Sequence, residues 1–131
     1  MGGTSACWVP FAPQSARSVR SSLADYLGTQ HVGQGVIDDA LVVASELVTN
    51  AIRHGRPTPD GTLGVTWHLD GTELELTVCD AGERSGRTID ARPPSRDATG
   101  GRGLAIVAAL SSRWWVDDPP GTAVHARIPV R

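Results

Sequence analysis

Glu46, Asn50 and His54 follow one another at spacings of four residues, which lines up a carboxylate, an amide and an imidazole on one face of a helix. Asn50 is the only asparagine of the 131-residue chain. It stands inside an amphipathic helical pattern from Val36 to His54, where its amide competes with the backbone for hydrogen bonds. An amide oxygen suits Mg²⁺, a hard cation that shares its ligands among protein oxygens, waters and phosphates. A carboxylate one turn earlier, about 6 Å along the axis, can take the proton of a hydroxyl or water attacking a terminal phosphate. A surface glutamate and an incidental asparagine give the same pattern, so this helix alone leaves both readings open.

Two other segments carry chemistry. Val78-Cys79-Asp80-Ala81-Gly82 ends a strand on an aspartate, a carboxylate at the rim of a pocket able to accept from an exocyclic amino group such as that of adenine. Gly82 lets the backbone pass close to a flat ring because no Cβ intrudes. An ordinary strand-to-turn aspartate reads the same way. Thr99-Gly100-Gly101-Arg102-Gly103-Leu104 opens a helix, where backbone N–H groups, the positive end of the helix dipole and a bidentate arginine can meet an anion. It is not a dinucleotide fingerprint, since no parallel βαβ unit surrounds it.

Composition narrows the class. All twelve basic residues are arginine and lysine is absent, which removes P-loop NTPases, the standard protein-kinase fold and Schiff-base chemistry. A net charge of −2 exerts no general pull on nucleic acid or membranes. No apolar run reaches the ~20 residues of a membrane helix, and no secretory signal is expected. Cys7 and Cys79 make neither a disulfide framework nor a metal cluster. Cytoplasmic residence is the expectation.

The elements that must position these groups alternate. A short edge strand over 6–11 precedes a helix over about 16–27, capped by Ser15 and broken by Gly28 and Gly33. The helix bearing Asn50 follows and stops at Gly55. Strands over 63–69 and 73–79 flank an Asp70-Gly71 hairpin signal, with Leu74, Leu76 and Val78 inward and Glu73, Glu75 and Thr77 outward. The stretch 80–103 has no periodicity, and structureless loops of that length are usually functional. A helix over 104–110, a strand around 113–116, a turn at Asp118-Pro119-Pro120-Gly121 and a last strand to Pro129 complete the chain. Adjacent Trp114 and Trp115 must face opposite ways. The expected fold is a single α/β (α+β) domain over 1–131: a two-layer sandwich with helices on one face of a mixed, mostly antiparallel sheet.

In this order the three motifs resemble the ATP-binding boxes of the gyrase, chaperone and histidine-kinase ATPase superfamily, the Bergerat fold. The likeness is greatest to bacterial anti-sigma-factor serine/threonine kinases, with their E-L-x-x-N-A-x-x-H-G helix, D-x-G strand end and G-x-G-L helix start. Gly121-Thr122-Ala123-Val124 resembles the superfamily's final G-T-x-V strand. The resemblance implies ATP and Mg²⁺ as cofactors. Asp80 would bind the adenine amino group beside Gly82, with Thr122 in support, and Asn50 would hold the metal. Gly101, Arg102, Gly103 and Leu104 would cradle the phosphates, helped by Arg53 and His54. Glu46 would be the catalytic base and residues 83–100 an ATP lid. The implied partners are an anti-anti-sigma protein and a sigma factor, with Arg17 and Arg20 as candidate contacts and a homodimer plausible. An ATP-dependent switch that binds a partner without phosphoryl transfer is the alternative.

Overall fold

The inward phase of one strand and the apolar stripe of one helix organise the molecule. The computed structural model describes residues 4–81, 101–117 and 121–130. In chain order the elements are β1 (Thr4–Pro10), α1 (Ser15–Thr29), α2 (Gln34–His54), β2 (Thr62–Asp70), β3 (Glu73–Asp80), α3 (Gly101–Leu110), β4 (Arg113–Asp117) and β5 (Thr122–Pro129). The strands form one sheet in the order β1-β2-β3-β5-β4, and every pairing is antiparallel. An α+β sandwich with the helices over one sheet face is therefore the architecture.

Burial follows the periodicities. On α2, Ile37, Ala40, Val43, Ala44, Leu47, Val48 and Ala51 are buried, a continuous stripe at helical spacing. α2 packs between α1 and α3 and rests on β3 and β5. On β3, Leu74, Leu76, Val78 and Asp80 alternate inward, and Thr122, Val124, Ala126 and Ile128 do so on β5. Leu23, Leu27, Leu63 and Val107 complete the core from the other elements.

Four local readings change. Ser15 does not cap α1: it is the first helical residue, and its buried hydroxyl donates to the Pro10 carbonyl at 2.6 Å, tying the helix to the end of β1. Gly28 does not end α1, which runs to Thr29; the left-handed residue beyond is His31 at φ 60°. The β2–β3 turn is Gly71-Thr72 rather than Asp70-Gly71, because Asp70 still pairs with Glu73. Gly71, at φ 62°, supplies the positive φ that a two-residue hairpin loop requires. Finally, Gly101, Arg102 and Gly103 lie inside the first turn of α3 rather than ahead of it.

The uncovered sheet face is held by polar cross-strand contacts. Arg127 meets Asp70 at 3.1 Å, Glu73 at 2.9 Å and Glu75 at 3.2 Å. These carboxylates hold its guanidinium pKa above the usual value, the Asp70 hydrogen bond most of all. His125 links the Thr77 hydroxyl at 2.9 Å to the Asp117 carboxylate at 3.0 Å. Trp115 stacks on His125 with ring centroids 4.7 Å apart, while Trp114 packs against the core. The adjacent tryptophans thus divide between the two faces as strand geometry demands.

Candidate functional site

Asp80 is the fourth inward residue of β3, one pleat beyond Val78. Strand phase therefore carries a carboxylate under the helical layer, where it is only 7% exposed. Directly across from it on β5 stands Thr122, 2% exposed. The two place a carboxylate and a hydroxyl side by side where β3 and β5 end.

Two glycines build the walls around this pair. A Cβ on Gly55, the C-cap of α2, would collide with the Asp80 carboxylate and would stand 2.6 Å from the Ala51 carbonyl oxygen. A Cβ on Gly121, at φ 109°, would stand 2.5 Å from the Asp80 carbonyl oxygen. The end of α2 and the start of β5 thus close on Asp80 from two sides, and only glycine permits the approach. The backbone continues the union, since the Ala81 N–H donates to the Arg56 carbonyl at 3.0 Å. Gly55→Ala is expected to cost about 1–3 kcal/mol of stability through this overpacking, read as a lowered midpoint of thermal unfolding. Gly55 has an ordinary negative φ of −96°, so a loss would report the contact with Asp80 and Ala51 rather than backbone strain.

The polar face of α2 leads away from this corner. Asn50 precedes Gly55 by five residues, or about 7.5 Å along the helix axis, and Glu46 lies about 6 Å further back. Ser45 accepts a hydrogen bond from Arg20 of α1 at 2.7 Å, so that flank of α2 faces α1. Asn50 is about 140° around the helix from Ser45, on a different flank. Glu46, Asn50 and His54 are each partly exposed, whereas Leu47, Val48 and Ala51 between them are buried. Arg53 is exposed and shares the last turn of α2 with His54, where cations suit the negative end of the helix dipole.

The third motif reaches the site through α3, which packs against α2 and starts at Gly101. Leu104 is partly buried within it. Gly82, residues 83–100 and the side chains of Gly101, Arg102 and Gly103 lie outside the described residues. The structure thus brings Asp80, Thr122 and the end of α2 together, with α3 packed against α2. The sequence marks Gly55 as a helix stop and Gly121 as a turn residue opening a strand motif; that both wall Asp80 is visible only in the packed structure.

Behind Asp80, on the opposite sheet face, burial pushes the Cys79 thiol pKa up, and the neighbouring Asp80 carboxylate pushes it further. Burial does the same to Cys7. Both cysteines are free thiols, and groups of three or more metal-ligating His, Cys, Asp or Glu do not occur among the described residues. A divalent cation here would need an amide and phosphate oxygens, the donor set that hard Mg²⁺ accepts. No helix among the described residues is long and apolar enough to cross a membrane.

The buried carboxylate-hydroxyl pair, the glycine walls and the helical layer belong to a known class. A family model for the histidine kinase-like ATPase domain matches residues 9–128, so the chain belongs to that family, whose domains use ATP. Among solved structures, the RsbU and RsbW domains of Rv1364c from Mycobacterium tuberculosis superpose with a TM-score of 0.74 at 23% identity, over 98% of this chain and 32% of that one. The present chain therefore spans about a third of that protein. The SiaB–SiaC complex from Pseudomonas aeruginosa gives a TM-score of 0.68 at 15% identity, covering 95% of this chain and 88% of the matched one. The histidine kinase domain of a blue-light activated histidine kinase from Erythrobacter litoralis gives 0.54 at 20% identity, covering 92% and 61%. At these identities the structural likeness speaks for the fold. No curated protein matches in sequence.

Proposed function

We propose that this chain is an ATP-dependent serine/threonine kinase of the anti-sigma type, a single cytoplasmic domain that phosphorylates an anti-anti-sigma protein and otherwise holds a sigma factor. The observation that carries the reading is the buried Asp80 facing Thr122 between Gly55 and Gly121. A carboxylate is an acceptor-only group, so where it is buried it selects a ring that offers an N–H donor. The adenine amino group meets that requirement, and Thr122 supplies a further hydroxyl.

From this anchor the other roles follow along α2 and α3. Asn50 would hold Mg²⁺, which would supply positive charge against the phosphates. The N-terminal turn of α3, with Gly101, Arg102, Gly103 and Leu104, takes the phosphates. Arg53 and His54 add positive charge at the end of α2; Gly82 and residues 83–100, outside the described residues, keep the roles the resemblance implies, the first beside the ring and the others as a lid. Glu46 takes the proton of the acceptor hydroxyl as its oxygen attacks the γ-phosphorus, the bond from that phosphorus to the bridging oxygen breaks, and ADP departs. Two of the structural neighbours support a partner-binding module, one a SiaB–SiaC complex and the other bearing an RsbW domain. A second copy of the chain is a further partner consistent with an edge strand such as β1.

The deciding experiment incubates the protein with labelled ATP, Mg²⁺ and candidate serine-bearing acceptors. A labelled acceptor supports the kinase. Tight ATP binding with no labelled acceptor assigns the domain instead to an ATP-dependent switch that docks a partner without chemistry. Asn50→Ala is expected to weaken ATP binding about tenfold in Mg²⁺ and little in EDTA; equal affinities in both buffers would remove the metal role.

A further inference from the structure

Trp8 is 66% exposed, the most exposed large hydrophobic side chain among the described residues. It lies on the uncovered face of the sheet, opposite Gly64 of β2. A Cβ on Gly64 would stand 2.8 Å from the indole ring, so the strand is thinned to let the ring lie against it. An exposed tryptophan seated against the neighbouring strand is not the outcome of burial, because folding leaves much of its apolar area in water.

What stands beside the ring is polar and rigid. Trp8, Thr58, Asp60 and Thr62 line one open cleft of about 290 Å³. The loop that supplies Thr58 and Asp60 is locked to Thr62 at the start of β2. Thr58 and Thr62 share a hydroxyl hydrogen bond of 2.7 Å, the Thr58 N–H donates to the Thr62 carbonyl at 3.0 Å, and the Gly61 N–H donates to the Thr58 carbonyl at 2.8 Å. Gly61 turns the chain at φ 75°, and its carbonyl accepts the Phe11 N–H at 3.0 Å, which fastens the loop to the end of β1. Asp60 is exposed and makes no ion pair with a described residue.

An indole face, a carboxylate with no ion pair among the described residues and hydroxyl oxygens with spare lone pairs are complementary to a cation that is both flat and rich in donors. A guanidinium fits better than an ammonium, because it stacks on the ring while its edge reaches oxygen acceptors. The other edge of the same sheet face shows this contact made internally: the Arg113 guanidinium lies 4.4 Å from the centre of the Trp115 ring. At Trp8 no such cation is supplied by the described residues. We propose that Trp8, Asp60, Thr58 and Thr62 form a receptor for an arginine side chain of a protein partner, separate from the nucleotide site. The loop carrying Thr58 and Asp60 begins at Gly55 and Arg56, which contact Asp80 and Ala81, so the partner would dock on the segment that walls the nucleotide pocket.

The test uses the full chain without nucleotide and a blocked pentapeptide, acetyl-Gly-Arg-Gly-Arg-Gly-amide, read by the Trp8 indole N–H resonance. The arginine peptide is expected to shift that resonance saturably, and the isosteric citrulline peptide is expected not to. Trp8→Ala and Asp60→Asn, at exposed positions that leave the fold intact by circular dichroism, are each expected to weaken binding about threefold to tenfold, measured by calorimetry. Trp8→Phe should retain part of the affinity. Equal shifts from the citrulline peptide, or unchanged affinity in both variants, would overturn the receptor. A Trp8 shift that depends on protein concentration alone would overturn it too, by assigning the cleft to a second copy of the chain. ATP affinity measured in parallel on Trp8→Ala is expected to be unchanged, so the result stands apart from the nucleotide reading.

Discussion

Asp80→Asn is expected to weaken ATP binding by about a hundredfold or more. A buried charged acceptor that loses its charge forfeits a charge-assisted hydrogen bond of roughly 1.5–3 kcal/mol. Its new amide hydrogens then face the donor edge they must read, and sites built to pair a polar group reject the mismatched one by large factors. Calorimetric titration with ATP measures the effect. A built-in control is available, since Asp80 is one cause of the raised Cys79 pKa: the substitution is expected to move thiol alkylation to lower pH. If affinity for ATP survives while the Cys79 profile shifts, the charge has been removed and adenine is not read at Asp80.

Glu46→Gln is expected to lower phosphoryl transfer by about a hundredfold to ten-thousandfold, the usual contribution of a positioned general base. ATP affinity should stay within about twofold, because Glu46 lies roughly 13 Å along α2 from the Gly55 contact with Asp80. Glutamine keeps the size and a polar end, so the difference isolates the ability to accept a proton. Single-turnover transfer to a serine-bearing acceptor, beside equilibrium binding of ATP, separates the two quantities. Loss of binding and transfer together would show that Glu46 shapes the site instead of taking the proton.

Most of the secondary structure was legible because one buried face imposes a period. Strand β3 alternates from Glu73 to Asp80 without a break, and α2 repeats its apolar stripe over 21 residues. The readings that changed are those where a local signal competed with tertiary contacts. Ser15 has the right side chain for a cap, but its hydroxyl bonds Pro10, a choice made by where β1 ends. Gly28 could stop a helix, yet α1 continues to Thr29 before its chain reverses at His31.

The candidate site divides the same way. The types and spacings of Glu46, Asn50 and His54, and the strand phase that turns Asp80 inward, are properties of the chain read in order, since helix and strand periods alone set them. That Asp80 faces Thr122 follows from β5 inserting between β3 and β4, a pairing across 41 intervening residues that no local pattern encodes. That Gly55 and Gly121 close on one carboxylate, and that Trp8 shares a cleft with Asp60, are likewise decisions of the packed structure. Sequence periodicity fixes which way a side chain leaves its own element; only the docking of elements fixes what it then meets.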